Sequence, residues 1–195
     1  MNNNFETYKR EIDRIIRQNP LECELYSIIA SVLRSCNSSS DISIRDVTNL
    51  TNQSTVTNPE IRHYKMPDGT LATADFLFMD PKYKYSEKTQ NRILGCCEIK
   101  ALHIDLNGAI RNNPNQFKGE LGTFHRLLYT NGIQWLYYEK TKKPLWKIEL
   151  GKYHLKDGPK VSDEDYVEWN NDCPWEVLIE NLNEMFEMFK NLKSE

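Results

Sequence analysis

The sequence predicts an α/β fold, a three-layer sandwich in which a central mixed β-sheet of four to five strands is flanked by helices. Apolar residues recur at helical spacing near both ends of the chain, and short strand-like apolar runs lie between them. A further helix-like segment interrupts those runs. This order of helices, strands, helix, strands and helix is typical of a sheet covered on both faces.

The first two elements are predicted to be helices. Apolar residues recur at helical spacing within residues 5–16, and Pro20 stands where that helix has ended. Pro20 suits the first turn of a second helix, whose apolar stripe covers residues 21–33. Glu22 and Glu24 lie at the positive end of this second helix, where acidic side chains are stabilising.

The middle of the chain is predicted to form strands. Ile42, Ile44 and Val47 indicate a first strand, and Pro67-Asp68-Gly69 has the composition of a turn. Residues 73–79 and 92–100 are apolar runs separated by a loop rich in lysine and tyrosine. We expect these two runs to pair as a hairpin.

The second half of the chain is predicted to contain a loop, a helix, two strands and a last helix. The loop follows Lys100, and the helix covers about residues 115–129, although Gly119 and Gly122 weaken it by about 1 kcal/mol each relative to alanine. The strands cover residues 133–138 and 145–150, and the closing helix covers 174–192.

Length and charge place limits on the organisation of the chain. The 195 residues fit one domain, 1–195, with a core of about 20–150, an N-terminal helix in 1–19 and an acidic C-terminal helical extension in 160–195. The net charge is −3, but residues 161–195 carry −8, which leaves +5 for residues 1–160. That mildly basic part is compatible with a polyanionic partner, and an ordinary solvated surface is the alternative.

The sequence also indicates a compartment. No apolar run approaches the length of about 18 residues that a membrane span needs, and the polar N-terminus does not resemble a signal peptide. Five cysteines without a C-x-x-C spacing predict free thiols rather than a disulfide framework or a zinc site. We therefore expect a cytoplasmic protein with no membrane partner.

The triplet Glu98-Ile99-Lys100 is the clearest candidate for chemistry. Because side chains alternate along a strand, Glu98 and Lys100 point to the same face. Asp75 stands at the head of the neighbouring strand. Mg²⁺ takes oxygen ligands, commonly one or two carboxylates with water and substrate phosphate. Asp75, Glu98 and the backbone carbonyl of Ile99 fit that demand, with Mn²⁺ as the alternative cation.

These residues resemble the motif of the PD-(D/E)xK nuclease superfamily. In that superfamily an aspartate heads one strand of a hairpin and a (D/E)-x-K triplet ends the next, as Asp75, Glu98 and Lys100 do here. A glutamate near the start of the preceding helix matches Glu22 or Glu24, and a glutamine on the following helix matches Gln116.

Within the superfamily, the sequence is most similar to the N-terminal nuclease domain of type I restriction enzyme R subunits and their stand-alone relatives. There a Thr-Asn-Gly turn precedes a strand that carries a tryptophan, as in residues 130–135. The resemblance covers roughly residues 20–150 and implies a restriction-endonuclease-like fold. Residues 1–19 and 151–195 lie outside it.

The sequence departs from the family pattern at one position and leaves several assignments open. Alanine precedes Asp75 where the family name has proline, and the literal Pro67-Asp68 is followed by a glycine that indicates a turn, so we favour Asp75 over Asp68. The Glu98–Lys100 pair alone is also compatible with a surface ion pair. Gln116 and Glu120 share one helix face, and that face points either to the site or to solvent.

A second candidate surface is rich in lysine. Seven lysines lie in residues 140–160, among them Lys142, Lys143 and Lys147, interleaved with Trp146 and Tyr153. Such a segment is expected either to follow a phosphate backbone or to keep a sheet edge from aggregating.

The resemblance implies a Mg²⁺-dependent endonuclease that hydrolyses phosphodiester bonds, in restriction, defence or a mobile element. Asp75 and Glu98 would hold the cation, Lys100 would position or activate the water, and Glu22 would assist. DNA is favoured over RNA as the partner. An RNA endonuclease and a non-catalytic nucleic-acid-binding or regulatory module on the same fold are the alternatives. A homodimer or a partner protein is conceivable through the C-terminal helix.

Overall fold

The computed structural model describes residues 4–37, 41–48, 63–84, 92–156, 160–172 and 174–192. Five helices lie in these ranges: α1 (Phe5–Gln18), α2 (Glu22–Cys36), α3 (Leu106–Asn112), α4 (Pro114–Phe124) and α5 (Trp175–Leu192). The strands in these ranges are β1 (Ser43–Asp46), β2 (His63–Lys65), β3 (Leu71–Thr73), β4 (Phe76–Met79), β5 (Ile93–Ile99), β6 (Arg126–Thr130), β7 (Gln134–Glu139), β8 (Trp146–Glu149), β9 (Gly151–His154) and β10 (Tyr166–Trp169).

The centre of the molecule is a mixed six-stranded sheet in the order β1-β4-β5-β6-β7-β8. Strands β5 and β6 run parallel, and the other neighbouring strands are antiparallel. A parallel pair needs a crossover connection, and α3 and α4 provide it between β5 and β6. Two smaller antiparallel pairs, β2–β3 and β9–β10, lie outside the sheet.

One face of the sheet packs against α1, α2 and α5. Phe76, Phe78, Cys97, Ile99 and Leu128 of the sheet share a buried cluster with apolar residues of these three helices. The N-terminal and C-terminal helices therefore belong to the same core as the sheet. Residues 160–195, expected as a helical extension, also contain strand β10 beside β9.

The opposite face packs against α3, α4 and the β2–β3 hairpin. Its buried cluster joins Leu77, Cys96, Leu127 and Tyr129 to apolar residues of these elements, such as Phe117 of α4. Helices on one face, and helices with a hairpin on the other, agree with the predicted α/β arrangement of layers around a mixed sheet.

The predicted count of four to five strands is wrong, because residues 126–130 form a central strand instead of the end of a helix. Helix α4 ends at Phe124, where His125 adopts a left-handed conformation (φ 62°) and its N–H caps the Leu121 carbonyl. Leu127, Leu128 and Tyr129 are all buried, because β6 is covered on both faces. A strand buried on both faces loses its alternating pattern, and its apolar run resembles part of a helix.

Helix α3 lies in a segment that the sequence predicted to be a loop. Asp105 caps it, because its side chain accepts a hydrogen bond from the N–H of Gly108. Leu106 is the buried residue of this short helix. Asp105 was the available signal, since aspartate is a preferred N-cap residue.

The remaining predicted elements agree with the structure within a few residues, whereas strands β2, β3 and β9 were not predicted. Strands β4 and β5 pair as an antiparallel hairpin, and Pro67-Asp68-Gly69 forms a turn in which Gly69 has a φ of 89°. Helix α2 begins at Glu22 instead of Pro20. Residues 85–91 of the lysine- and tyrosine-rich loop lie outside the described residues.

Two further predictions from composition bear on the described ranges. Cys23, Cys36, Cys96 and Cys97 are free thiols, as expected. Among the described helices, none combines the length and the apolar character required to cross a membrane.

Candidate active site

The candidate site lies at one end of the β4–β5 hairpin. Strand β4 pairs with β5 in a register that sets Phe76 opposite Cys97, so that one step further Asp75 comes opposite Glu98. Residues directly opposite each other in an antiparallel pair point to the same face. Lys100 follows two residues after Glu98 and shares that face. The hairpin thus brings Asp75, Glu98 and Lys100 together.

The Asp75 carboxylate is buried and held by two donors. The Tyr26 hydroxyl donates to Oδ1 at 2.8 Å, and the backbone N–H of Ile99 donates to Oδ2 at 2.6 Å. Burial raises the pKa of Asp75 to about 7, helped by the charge of Glu98 and opposed by the two hydrogen bonds. Because the N–H and C=O of a strand residue point to the same side, the Ile99 carbonyl also faces the β4 side.

Glu98 and Lys100 form an ion pair that is largely shielded from solvent. Lys100 Nζ lies 2.6 Å from Glu98 Oε1 and 5.8 Å from the centre of the Tyr129 ring. Burial and the charge of Glu120 raise the pKa of Glu98 well above its ordinary value. Burial disfavours the charged form of Lys100, but Glu98 outweighs it and raises the lysine pKa. Lys100 is therefore a cation at neutral pH.

Helix α4 places two polar side chains over this ion pair. Gln116 Nε2 donates to Glu98 Oε1 at 2.5 Å and to Glu120 Oε1 at 3.1 Å, while its Oε1 lies 3.4 Å from Lys100 Nζ. Glu120 is fully buried, and its Oε1 accepts a hydrogen bond of 2.8 Å from Tyr64 on β2. Burial raises the pKa of Glu120 to about 7. The shared face of Gln116 and Glu120 points to the site and not to solvent.

Helix α2, which packs on the other face of the sheet, also contributes a side chain to the site. Glu22 Oε2 accepts a hydrogen bond of 3.1 Å from the N–H of Ala101, directly after Lys100. Glu24 is exposed and binds the side chain of Asn19 instead, at 2.8 Å. Of the two alternative glutamates, Glu22 is the one that the structure brings to the site.

The Thr130-Asn131-Gly132 turn is hydrogen-bonded to the segment that follows Lys100. The Asn131 side chain donates to the carbonyls of Leu102 and Ile104 at 3.3 and 2.8 Å. Its Oδ1 accepts hydrogen bonds from Ile133 and Gln134 within the turn. Asn131 therefore ties the start of β7 to the segment that follows Lys100.

The site contains more acidic than basic side chains. Glu22, Asp75, Glu98 and Glu120 surround one lysine, Lys100. Glu98 Oε2 and Glu120 Oε2 are buried and have no hydrogen-bond partner within the described ranges. Burial of these oxygens favours the protonated carboxyls, in agreement with the raised pKa values of Glu98 and Glu120. A bound cation would favour their charged forms instead.

The acidic side chains of the site are of the type that a hard divalent cation takes as ligands. Among the described residues, no three histidine, cysteine, aspartate or glutamate side chains form a group that could hold a metal ion by themselves. Zinc is commonly held by three or four protein side chains. Mg²⁺ is commonly bound through only one or two carboxylates and keeps water and phosphate oxygens as its other ligands. Asp75 and Glu98 provide such a pair, with the Ile99 carbonyl beside them.

The lysines proposed to bind nucleic acid lie away from this site. Lys142 and Lys143 are exposed in the turn between β7 and β8, at the end of the sheet opposite Lys100. Lys147 lies on the edge strand β8, three strands from β5, and pairs with Glu149 at 2.8 Å. The structure does not bring these three lysines to the carboxylates.

Tyr26 and Tyr64 are the site residues that the sequence did not reveal. Tyr26 follows Glu22 by four residues on the same helix, and this spacing was an available signal. Tyr64 lies on a three-residue strand, and its contact with Glu120 joins positions 56 residues apart. No local pattern could have indicated that second contact.

Comparisons with known proteins show similarity in fold alone. No family model matches the sequence, and no curated protein matches it either. A chain of the DrdV–DNA complex, solved by cryo-electron microscopy, matches with a TM-score of 0.54 at 10% sequence identity. The match covers 95% of the present chain and 13% of that chain, so the present chain corresponds to a small part of a much longer one.

Proposed function

We propose that this protein is a metal-dependent endonuclease that hydrolyses phosphodiester bonds of DNA, with a restriction-endonuclease-like fold of the PD-(D/E)xK superfamily. One observation carries the proposal. Asp75, Glu98 and Lys100 meet at the end of one β-hairpin, and Glu98 keeps a buried oxygen without a partner. Restriction, defence or a mobile element is the proposed setting.

Asp75, Glu98 and the Ile99 carbonyl are the proposed ligands of a Mg²⁺ or Mn²⁺ ion. Such an ion, when bound, supplies a Lewis acid that lowers the pKa of a water and polarises a phosphate. The two bonds to Asp75, from Tyr26 and Ile99, fix the orientation of that carboxylate. Fixed ligands need no rearrangement during the reaction.

Lys100 is proposed to place a positive charge beside the non-bridging phosphate oxygens. Because the pKa of Lys100 is raised by Glu98, the ammonium keeps its proton at neutral pH and is unsuited to accept one. Gln116 holds Glu98, and Glu22 holds the backbone N–H that follows Lys100. Both act as positioning residues around the ion pair.

Two observations support DNA as the substrate. A structure of similar fold was solved in a complex with DNA. Residues 1–160 have a net charge of +5, which suits a polyanion. Because the same carboxylate and lysine groups can cleave RNA, substrates of both kinds belong in the test.

Cleavage of DNA and RNA oligonucleotides by the purified chain tests this proposal. We expect Mg²⁺-dependent cleavage of DNA, lost on addition of a chelator, and a reduction of about 10²–10³-fold or more in Lys100→Ala and Asp75→Asn. Arg10→Ala is the control, since it removes an exposed cation from helix α1 that is not among the residues proposed to bind metal or nucleic acid. That variant should cleave within about twofold of the unchanged protein.

Other results would redirect or reject the proposal. Full activity in Lys100→Ala would exclude this site as the origin of cleavage. Preference for RNA would make the protein an RNA endonuclease. Mg²⁺ binding without cleavage of any strand would favour the non-catalytic module.

A further inference from the structure

A cleft lies beside the candidate active site, at the same end of the central sheet. One wall is formed by residues 102–105, which begin two positions after Lys100, and strand β9 contributes to another. Gln134 begins β7 and Glu149 ends β8, and both line the cleft at the end of the sheet where β5 reaches Lys100. The volume of the cleft is about 520 Å³. Pockets for small ligands commonly have roughly 300–1,000 Å³, so the cleft has room for one nucleotide.

The cleft keeps a fixed position relative to Lys100. Asn131 binds the carbonyls of Leu102 and Ile104, so the wall that follows Lys100 is attached to the start of β7. Neighbouring strands lie about 5 Å apart, which puts β7 roughly 10 Å from the strand of Lys100. A stacked DNA strand advances about 3.4 Å per nucleotide. A strand held at Lys100 would therefore reach the cleft within a few nucleotides.

Two aromatic rings lie in the wall of the cleft. His103 and Tyr153 are both half-buried, and their ring centres are 6.3 Å apart at an interplanar angle of 59°. The Tyr153 hydroxyl donates to Asp165 Oδ2 at 2.9 Å, and this bond fixes the outer end of the tyrosine ring. Aromatic rings of this kind are the surfaces on which proteins stack bases that have left a helix.

Polar groups in the same cleft are suited to the edge of a base. Gln134 Nε2 and Lys147 Nζ both contact Glu149 Oε1, at 2.9 and 2.8 Å. Asn170 donates through Nδ2 to the Glu149 carbonyl at 2.7 Å. Glu149 Oε2 and Asn170 Oδ1 accept no hydrogen bond from the described residues. Free acceptor oxygens of this kind can bind the amino groups of nucleobases.

We propose that the cleft between His103 and Tyr153 binds an unpaired base of the DNA strand, close to the phosphate that is cleaved. This inference rests on the proposed function, since it specifies part of the substrate. The base stacks on the aromatic wall and donates to Glu149. Lys152, which is exposed at the same cleft, is available to a flanking phosphate. Because a base inside a duplex cannot enter such a cleft, single-stranded DNA is the preferred form.

Fluorescence anisotropy tests the inference on the full chain. The probes are a labelled single strand of mixed sequence and the duplex of the same sequence, both with a chelator so that no strand is cut. We expect tighter binding of the single strand, and a Kd for it that rises about fivefold or more in Tyr153→Leu. Tyr153→Phe is the matched control, since it loses the same bond to Asp165 but keeps the ring, and its Kd should stay within about twofold.

The outcomes separate this inference from the proposed function. A rise in Kd of less than about fivefold for Tyr153→Leu, an equal rise for Tyr153→Phe, or tighter binding of the duplex overturns the inference. Mg²⁺-dependent DNA cleavage that Tyr153→Leu leaves unchanged overturns the inference alone. Binding that depends on the Tyr153 ring, without cleavage of any DNA, supports the inference and contradicts the nuclease.

Photochemical crosslinking gives a second measurement on the unchanged protein if Tyr153→Leu does not fold. The probe is single-stranded DNA that carries 5-iodouracil, and mass spectrometry identifies the modified residue. A crosslink to His103 or Tyr153 supports the inference. Crosslinks found only outside the cleft, or none at all, overturn it.

Discussion

At the scale of single residues, the Asp75 carboxylate is held by donors from two different layers. Tyr26 belongs to helix α2 on one face of the sheet, and Ile99 belongs to strand β5 within it. These bonds favour the charged carboxylate, whereas burial and the nearby Glu98 favour the protonated form. Burial and the charge of Glu98 have the larger effect, so the pKa of Asp75 rises to about 7.

This raised pKa predicts how the stability of the metal-free protein depends on pH. An acid whose folded pKa lies above its unfolded value binds protons more tightly in the folded state. Its contribution to the free energy of unfolding is therefore complete below about pH 4 and is lost as the pH rises to about 7. Asp75 alone contributes up to about 4 kcal/mol to this decline, and the raised pKa values of Glu98 and Glu120 act in the same direction.

Asp75→Asn tests that dependence at one position. An asparagine can accept from the Ile99 N–H and donate to the Tyr26 oxygen, so we expect the fold to persist. The variant should be more stable than the unchanged protein at pH 8 without metal, with a flatter profile between pH 4 and 7, measured by urea unfolding. Asp68→Asn is the control, since Thr70 lowers the pKa of that exposed carboxyl, and it should give no gain at pH 8. A loss of stability in Asp75→Asn at pH 8 would contradict the expected sign.

At the scale of elements, helix α4 is shaped by its close approach to the β2–β3 hairpin. A Cβ on Gly119 would lie 2.8 Å from Tyr64 Cδ2 and 3.3 Å from the Met66 Cα. Glycine is therefore required where the helix passes the hairpin, despite its low helix propensity. The next residue along the chain is Glu120, so this contact also fixes the distance between Tyr64 and its carboxylate partner.

The two glycines of α4 provide a matched pair of variants. Gly122 is exposed, and a Cβ there meets nothing within 4 Å, so Gly122→Ala should stabilise the protein by about 0.5–1 kcal/mol. Gly119→Ala should destabilise it by about 1–3 kcal/mol, because Tyr64 must move to avoid the new methyl group. Chemical unfolding of both variants measures the difference. Equal gains in the two would show that the helix and hairpin do not pack as described.

The elements differ in how well the sequence could predict them. Strand β4 is entirely apolar, β5 carries a charged residue only near its end, and helix α5 has an uninterrupted apolar stripe, so their patterns were sufficient. Strand β6 was assigned to a helix because its burial on both faces removes the alternation. Asp75, Glu98 and Lys100 were candidates from their positions on the predicted strands, and Glu22 and Gln116 were candidates from the resemblance to the nuclease superfamily. Tyr64 and Tyr26 were not, since their roles depend on contacts across layers.

At the scale of the whole molecule, the site lies where the layers meet at one end of the sheet. Helix α2 contributes Glu22 from one face, helix α4 contributes Gln116 and Glu120 from the other, and the hairpin lies between them. The C-terminal helix α5 completes the first face and buries its own apolar side against the sheet. The apolar face of this helix is thus part of the core of the chain.

The packing of α5 predicts that a substitution in this helix lowers the stability of the protein without weakening metal binding at the site. Phe186 is 1% exposed, and its ring meets that of Phe78 at 5.7 Å, edge to face, on the sheet face away from Glu98. Phe186→Ala should destabilise the protein by about 3–5 kcal/mol and lower Tm by about 10 °C or more. Mn²⁺ affinity, measured well below Tm, should stay within about threefold because the Glu98 side chain lies on the face of the sheet opposite to Phe186.

Val177 supplies the control on the same helix. It is 46% exposed, so Val177→Ala should change the free energy of unfolding by about 0.5 kcal/mol or less. Circular dichroism during heating measures Tm for both variants. Similar Tm values for Phe186→Ala and the unchanged protein would place α5 outside the core, and a chain ending before this helix would then be expected to fold. Because Phe78 belongs to the strand headed by Asp75, we expect the opposite: without α5, the hairpin that carries the site would not form.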